Sequence, residues 1–339
     1  MIGTDVKCWG RNDTGELGDG TTVARTKAVK VLGLPPATDV ATGWYHTCAI
    51  VVGGDVKCWG SEGSWGSLGD GGAVNLVEST PVSVVGLHGA VQLAAGANHT
   101  CAIVTGGAVK CWGENAGGQL GDGTGLNSAS PVDVVGLAGA TQIAAGDNFT
   151  CVRVAGGVKC WGSDDTGQLG RGIGTGGSTA PVDVIGVSGV TDIGAGEFSA
   201  CAVVIGGAIK CWGSNGNGRL GNGTETVSEP TPVAVTGITG ATAVAPGWYH
   251  TCAVVADGAA KCWGYGIYGA LGHGEFVDSL VPVDVVDVAA ATQIASAYHR
   301  SCALLPAGAV KCWGYNYDGE LGNGTPFYAT ANPVDVDLS

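Results

Sequence analysis

Thirteen cysteines are the residues of this 339-residue sequence whose type and spacing most directly predict chemistry. Seven stand in the repeated tetrapeptide Lys-Cys-Trp-Gly, and each of the last six of these follows another cysteine by nine or ten residues. Five of the six intervening segments contain a Gly-Gly or Asp-Gly turn, so hairpins would place the paired cysteines opposite each other at disulfide distance. The six predicted pairs are Cys48 with Cys58, Cys101 with Cys111, Cys151 with Cys160, Cys201 with Cys211, Cys252 with Cys262, and Cys302 with Cys312.

Two other interpretations of these cysteines stay open, namely buried thiols in a reducing cell and a zinc site. Zinc is disfavoured because closely spaced cysteine pairs are absent and because histidine accompanies the upstream cysteine only at His46, His99 and His250. We therefore expect no metal and no cofactor. Disulfides on this scale are typical of an oxidising compartment, which predicts an extracellular or cell-surface location. Cys8 has no partner and is a candidate for intermolecular pairing.

A second set of candidate residues precedes each upstream cysteine by two to four positions. These residues differ between copies although the sequence around them repeats, and exposed loops on a rigid scaffold are where binding residues usually lie. Trp and Tyr are typical of interaction surfaces because they bury a large area with little loss of entropy. Trp65, in a longer loop, is a weaker candidate. The candidate contact residues are Trp44, Tyr45, His46, Asn98, His99, Asp147, Asn148, Glu197, Phe198, Trp248, Tyr249, His250, Tyr298, His299 and Arg300.

These candidates have alternative roles. The third residue of each triplet lies next to a strand, so a hydrogen bond to the backbone is the competing role of His46, His99 and His250, and packing is that of the aromatic residues. No nucleophile elbow, phosphate loop or metal signature occurs, and we predict that the protein is not an enzyme. An acid–base pair of Asp147 and Glu197 is the enzymatic alternative.

The elements that position these residues repeat with a period of about 51 residues. In the copy over 138–187, four short segments alternate or are rich in β-branched residues and end at Gly, Pro or Asn, which predicts strands A to D. Gly-Gly at 53–54, 106–107, 156–157 and 206–207 and Asp-Gly at 257–258 predict the hairpins between B and C. A proline opens strand D in each of the six complete blades, as Pro81 does in the first, and predicts a sheet edge. The tryptophan after each Lys-Cys is expected to pack.

Four antiparallel strands per repeat predict an all-β fold, a β-propeller of the seven-bladed type with six complete four-stranded blades and a half blade that has only strands C and D. A β-solenoid is less suitable because the hairpins require antiparallel pairing. Truncation of a longer chain is the favoured explanation for the missing strands, ahead of completion by another molecule or an open half blade. We predict a single domain over 1–339, with the half blade at 1–36 and blades at 37–87, 88–137, 138–187, 188–238, 239–288 and 289–339.

Composition restricts the classes of function. Glycine contributes 63 residues, as repeated tight turns require, whereas charged residues make up only 13% of the chain. The net charge of -14 disfavours nucleic-acid binding, which depends on clustered Lys and Arg. No apolar stretch reaches the roughly 20 residues of a membrane span, and no targeting signal is visible at the first residues.

The segments Trp112–Thr124 (WGENAGGQLGDGT) and Gly96–Thr100 (GANHT) resemble the repeat of the regulator of chromosome condensation family, in a cysteine-rich, bacterial-type variant. The resemblance covers essentially the whole chain and implies a seven-bladed β-propeller. Its implication for function is broad, because the family includes nucleotide exchange factors, a plant ultraviolet-B photoreceptor and β-lactamase inhibitor proteins. The photoreceptor's Gly-Trp-Arg-His-Thr motif is matched only at Gly43 and Gly247, with Tyr in place of Arg, so light sensing is not expected.

We therefore predict a non-enzymatic, secreted binding propeller that engages a protein or a glycan through the loops between strands A and B. One alternative is a structural domain of a larger surface protein or assembly, completed by strands from another segment. A secreted enzyme inhibitor is another. Neither nucleic-acid binding nor membrane insertion is expected, and self-association through the incomplete blade or Cys8 is a further hypothesis.

Overall fold

The computed structural model describes residues 5–172 and 176–339. Residues 1–4 of the expected half blade and residues 173–175 of the expected blade at 138–187 lie outside this range. Strands dominate the structure, and consecutive strands form six four-stranded sheets and one two-stranded sheet. The helical elements of the described residues are short 3-10 turns at Gly216–Gly218 and Pro306–Gly308, and none of them is long and apolar enough to cross a membrane.

The two-stranded sheet consists of β1 (Lys7–Gly10) and β2 (Arg25–Lys30), which are strands C and D of the half blade. Each four-stranded sheet lies within one of the expected blades and has the spatial order A–B–C–D. Their strands are β3 (Ala37–Thr42), β4 (His46–Val51), β5 (Val56–Ser61) and β6 (Val77–Ser83); β7 (Ala90–Ala95), β8 (His99–Val104), β9 (Val109–Gly113) and β10 (Ser128–Asp133); β11 (Ala140–Ala145), β12 (Phe149–Val154), β13 (Gly157–Gly162) and β14 (Ser178–Asp183); β15 (Val190–Ala195), β16 (Ser199–Val204), β17 (Ala208–Ser214) and β18 (Ser228–Ala234); β19 (Ala241–Pro246), β20 (His250–Val255), β21 (Ala260–Gly264) and β22 (Ser279–Asp284); β23 (Gln293–Ala297), β24 (Arg300–Leu304), β25 (Val310–Tyr315) and β26 (Ala329–Asp335).

Two compact units divide the described residues. Apolar side chains fill the space between neighbouring sheets within each unit, around Trp112 in the first and around Trp263 in the second. The N-terminal unit comprises the described parts of Met1–Ala155, Lys159–Asp164 and Gly176–Val182, and the C-terminal unit those of Gly156–Val158, Asp165–Thr175 and Asp183–Ser339.

The repeated tryptophans connect successive blades within each unit. Trp59, Trp112, Trp161, Trp212, Trp263 and Trp313 are fully buried, whereas Trp9 in the half blade is only half-buried. Each buried indole Nε1 donates to a main-chain carbonyl of the preceding repeat, as from Trp59 to Glu16 at 2.8 Å and from Trp112 to Ser67 at 3.0 Å. These side chains therefore fill the core and fix the neighbouring blade at the same time.

Six disulfides join strand B to strand C at the six expected pairs. One of the hairpins differs from its expected turn. Ala155 and Gly156 have positive φ angles of 50° and 75°, whereas Gly157 already belongs to β13. The turn expected at 156–157 is therefore displaced by one residue, because Cys151 and Cys160 are separated by 9 residues instead of 10.

Strand D forms the edge of each four-stranded sheet, as the sequence predicts. The expectation that proline opens this strand is wrong, because Pro81 lies inside β6 and Pro131 inside β10. The register of β6 against β5 shifts beside this proline, between the partners of Cys58 and Gly60. Proline has no N–H to donate and is tolerated in an edge strand at such a bulge.

Candidate functional site

The loops between strands A and B are joined through their backbones in the N-terminal unit. The N–H of Trp44 donates to the carbonyl of Ala97, and the N–H of Ala97 donates to that of Asp147, both at 3.2 Å. Trp44 is 38% exposed on this row of loops. The Arg11 guanidinium lies 4.9 Å from the ring centroid of Tyr45, which is a cation–π contact. Trp44 and Tyr45 therefore present aromatic surface on a fixed backbone.

The histidines of these loops are buried. Nε2 of His99 lies 2.9 Å from Oγ1 of Thr150 in the next blade, and that hydroxyl donates to the carbonyl of Gln119 at 3.1 Å. Thr150 thus accepts the Nε2 proton, and burial lowers the pKa of His99 to about 3, so the ring is neutral. The interpretation of these histidines as partner-binding residues is wrong, because they form contacts between blades. The equivalent contacts are His46 to Thr100 and His250 to Ser301.

The glycine of the Gly-x-x-His motif is required by the histidine that follows it. A Cβ atom on Gly96 would overlap both the ring of His99 and the carbonyl oxygen of Gly146 in the next blade. In the three copies that have both Gly and His, these two residues are therefore packing residues, and the two middle positions are not subject to this constraint.

The polar candidates of the N-terminal unit are tied into the structure. Nδ2 of Asn98 donates to Glu114 at 3.1 Å, and Oδ1 of Asn148 accepts from Gln119 at 3.2 Å. Asp147 is buried, with 6% of its surface exposed. Of the candidates in this unit, the aromatic pair described above therefore offers the most accessible surface.

In the C-terminal unit, the buried carboxyl of Glu197 lies in the field of Arg219, a residue that no sequence motif had indicated. Burial raises the pKa of Glu197 to about 7, and the attraction of Arg219 opposes this shift. Arg219 donates to the carbonyl of Trp248 at 2.5 Å, and its guanidinium lies 4.8 Å from the ring centroid of Tyr249. Arginine stands here where another repeat has Gln119, and this difference between copies is the signal that would have found it.

The aromatic candidates of the C-terminal unit come together around His299. The ring centroids of Tyr298 and Tyr249 lie 4.1 and 5.2 Å from that of His299, and Trp248 lies 4.5 Å from Tyr298. His299 is 6% exposed, and burial lowers its pKa to about 4. Tyr298 is 37% exposed and brings the group to the surface.

Arg300 occupies the register position that histidine has in other blades, opposite Gly314. It is half-buried, and burial lowers its pKa although the carboxylates of Glu320 and Asp318 oppose the shift. Arg300 therefore lies in the electrostatic field of these carboxylates. Phe198 is also half-buried.

Five further tyrosines, in the loops between strands C and D or at the end of strand C, extend the group around His299. The ring centroid of Tyr268 lies 4.5 Å from that of His299 and 5.9 Å from that of Tyr328. No motif indicated these residues, but Tyr265 and Tyr315 stand where other repeats have Ser163 and Ser214, and that contrast is the signal for these two. The five are Tyr265, Tyr268, Tyr315, Tyr317 and Tyr328.

A buried acid lies in the longer loop that also contains the half-buried Trp65. Glu62 stands where most repeats have Asn and is 1% exposed. Its Oε2 accepts from the N–H of Leu68 at 3.2 Å, whereas Oε1 is buried with no hydrogen-bond partner. Burial and the neighbouring carboxylates of Asp70 and Glu78 raise the pKa of Glu62 to about 7.

Cys8 is the free cysteine of the described residues. It lies opposite Val29 in the half blade and is half-buried. Burial raises the pKa of its thiol to about 12, which disfavours the reactive thiolate. Within residues 5–172 and 176–339, no group of three or more His, Cys, Asp or Glu side chains could hold a metal ion.

Residues 5–339 match the family model of the RCC1-like domain. The chain belongs to the RCC1-like domain family. It is 33% identical over 287 residues to the ultraviolet-B receptor UVR8 of Arabidopsis thaliana. The matched region covers 83% of this chain and 54% of the receptor. It is 33% identical over 122 residues to the human E3 ubiquitin-protein ligase HERC2, or 35% of this chain and 2% of the ligase. This RCC1-like chain thus spans about half the length of the receptor and a small fraction of the ligase.

Solved structures of other proteins resemble this RCC1-like chain over nearly its whole length. Prp20p from Saccharomyces cerevisiae has a TM-score of 0.85 at 24% identity, and the alignment covers 98% of this chain and 85% of Prp20p. Human WBSCR16 has a TM-score of 0.86 at 21% identity, and the alignment covers 98% of this chain and 93% of WBSCR16. The predicted β-propeller fold, with six complete blades and an additional strand pair, is thereby confirmed.

Proposed function

We propose that this chain is a non-enzymatic interaction module that binds a protein or a glycan through the exposed residues of its A–B loops. The observation that supports it best is the contrast within the Gly-x-x-His motif. Gly and His are fixed by packing between blades, whereas the two middle positions carry the exposed aromatic ring of Trp44. An exposed ring on a fixed backbone binds at low entropic cost.

Relatives with the same fold support a role in protein binding. Yeast RCC1 (Prp20) has been solved bound to Kap60, and Prp20p has been described with binding properties to Gsp1p and histones. Those partners belong to the yeast protein. The use of the propeller as a surface for other proteins is the part that we extend to this chain.

An extracellular or cell-surface location is part of the proposal. Six disulfides in one chain favour an oxidising compartment. The net charge of -14 argues against a nucleic-acid partner. Asp147 and Glu197 are only 6% and 8% exposed, so a substrate would have little access to either carboxyl.

The proposal is tested by comparing Trp44→Ala with the wild type and with Ile205→Ala. Ile205 is a matched apolar control, 78% exposed at the end of strand B away from the A–B loops. The immobilised proteins are presented with secreted and cell-surface proteins and with a glycan array. We expect Trp44→Ala alone to lose the captured partner while its melting temperature stays within about 2 °C of the wild type. Equal capture by all three proteins, or a melting temperature lowered by more than about 5 °C, contradicts the proposal.

A further inference from the structure

Seven of the chain's eight tyrosines form a continuous series of ring contacts that includes His299, in or next to the A–B and C–D loops of the blades at 239–288 and 289–339. We call this group the tyrosine cluster. Its rim is open, since Tyr317 and Tyr328 are 66% and 59% exposed. A contiguous group of exposed aromatic rings is typical of a binding surface.

The fold itself does not require these rings. Tyr315 follows the Trp-Gly pair at a position that is Ser163 and Ser214 in other repeats, and Tyr317 stands where Gly216 does. Those repeats form the same four-stranded sheets with small side chains. Packing within a blade is therefore not the reason for tyrosine at these positions.

The charge around the tyrosine cluster is negative. The segment 239–339 contains nine Asp and Glu and three Lys and Arg. Two of the three basic residues lie on strand C, where Lys261 pairs with Asp284 at 2.5 Å and Lys311 lies 3.9 Å from Asp335. The third basic residue is the half-buried Arg300, which interacts with acidic neighbours. Each basic residue of this segment therefore has a carboxylate in its electrostatic surroundings.

Acidic residues neighbour the tyrosines: Asp318 follows Tyr317 along the chain, and Oδ1 of Asp278 accepts from the N–H of Gly266, next to Tyr265, at 2.8 Å. Burial raises the pKa of Tyr315 to about 12, and the negative charges of Glu320 and Asp318 add to this shift. The pKa of Tyr265 is raised by burial and by neighbouring groups that include Asp278. A ligand seated on these rings would therefore gain from carrying a positive charge.

The chain already places guanidinium groups on tyrosine rings at this end of its sheets. Arg219 lies 4.8 Å from the ring centroid of Tyr249 in the C-terminal unit, and Arg11 lies 4.9 Å from that of Tyr45 in the N-terminal unit. Tyr249 is itself a member of the tyrosine cluster. The geometry needed for arginine recognition is thus present within the chain.

We propose that the tyrosine cluster binds an arginine side chain of a partner protein, with the guanidinium stacked on the exposed rings of Tyr317 and Tyr328 and the neighbouring carboxylates balancing its charge. This inference rests on the proposed binding function and specifies the partner as a protein with an exposed arginine. Arginine suits the cluster because its planar cation both stacks on aromatic faces and pairs with carboxylates. A neutral glycan would stack on the rings without gaining from the negative charge.

The test uses a fluorescent peptide of alternating Gly and Arg, and a matched peptide in which neutral citrulline replaces each Arg. We expect the arginine peptide to bind the full chain about tenfold more tightly than the citrulline peptide. Replacing Tyr317 and Tyr328 by Ala is expected to weaken arginine binding about fivefold or more, whereas Phe at both positions preserves it. Asp318→Asn is expected to weaken it about threefold, and Ile205→Ala to leave it unchanged.

The inference is overturned by equal binding of the two peptides or by full binding to the Ala double variant, which would indicate unspecific attraction to an acidic protein. It is also overturned if an N-acetylglucosamine tetramer binds in a Tyr317-dependent way while the arginine peptide does not. Should the Ala double variant fold poorly, the Phe double variant and Asp318→Asn decide the matter. Loss of partner capture in Trp44→Ala together with no arginine binding would leave the proposed function standing and remove only this inference.

Discussion

Nε2 of His99 lies 2.9 Å from Oγ1 of Thr150, and the two side chains belong to neighbouring blades. The threonine hydroxyl continues the contact to the carbonyl of Gln119 at 3.1 Å. Burial lowers the pKa of His99 to about 3, and it lowers those of His46 and His250 to about 4 and 3. The contact between blades therefore depends on neutral histidine.

We expect the contribution of these histidines to the free energy of unfolding to fall as the pH falls below about 6.5. Between that pH and the lowered folded-state pKa values, these side chains bind more protons in the unfolded chain than in the folded chain, so acid weakens the folded state at these three positions. At pH 5.5 the cost is about 1 kcal/mol per histidine. Urea denaturation of the wild type and of His99→Gln at pH 7.5 and 5.5 measures this cost. We expect His99→Gln to be less stable than the wild type at pH 7.5 but to lose less stability at pH 5.5. The same pH dependence in both proteins would contradict this account.

Glu62→Gln is expected to stabilise the protein at alkaline pH. The pKa of Glu62 is raised to about 7 in the folded state, so its contribution to stability is present below the unfolded pKa near 4.5 and is lost as the pH rises through 7. A neutral amide at this position removes the cost of the buried charge. We expect a gain of roughly 1–2 kcal/mol at pH 8, allowing for partial solvent screening, and little change at pH 4.5. The exposed Glu275, changed to Gln, is the control, and a gain of equal size at both pH values would refute the explanation.

Cys8 is expected to react slowly with a thiol reagent in the folded protein. A pKa of about 12 leaves little thiolate at pH 8, so labelling should be at least about 100-fold slower than in urea. Without reductant, the unfolded chain should expose one thiol, because the other twelve cysteines form six disulfides. Colorimetric titration measures both the rate and the number of thiols. More than one thiol in urea would contradict the disulfide pairing.

Ala155→Gly is expected to stabilise the protein. Ala155 has a φ of 50°, in the left-handed region where a Cβ atom is unfavourable and glycine is not. We expect a gain of roughly 0.5–1 kcal/mol in the free energy of unfolding, measured by urea denaturation. Ala256 belongs to the corresponding hairpin of a later blade but has no positive φ, so Ala256→Gly should be neutral or destabilising. The same sign for both variants would argue against backbone strain at Ala155.

Features that depend on local spacing could be predicted from the sequence. The distance between Cys201 and Cys211 along the chain is enough to place them opposite each other, because a hairpin has few possible registers. The position of Pro81 inside strand D could not be predicted in this way, since the bulge that accommodates it depends on the pairing with the neighbouring strand.

Features that depend on contacts between blades were harder to predict. The burial of His99 follows from Thr150, about one repeat further along the chain, and a single copy of the motif does not show this partner. The tyrosine cluster combines loops from two blades and two kinds of connection, so no single loop indicates it. Comparing the same position across copies would have found part of the cluster, since the repeat places Ser163 where Tyr265 stands.

The hydrogen bond of each buried tryptophan has a consequence for the ancestry of the gene. The residues whose carbonyls accept the indole N–H are Glu16, Ser67, Gln119, Gln168, Arg219 and Ala270. Because the acceptor is a main-chain oxygen, this hydrogen bond does not depend on the side chain of the accepting residue. Unequal recombination that adds or removes one repeat would therefore leave the indole hydrogen bond satisfied at the new junction.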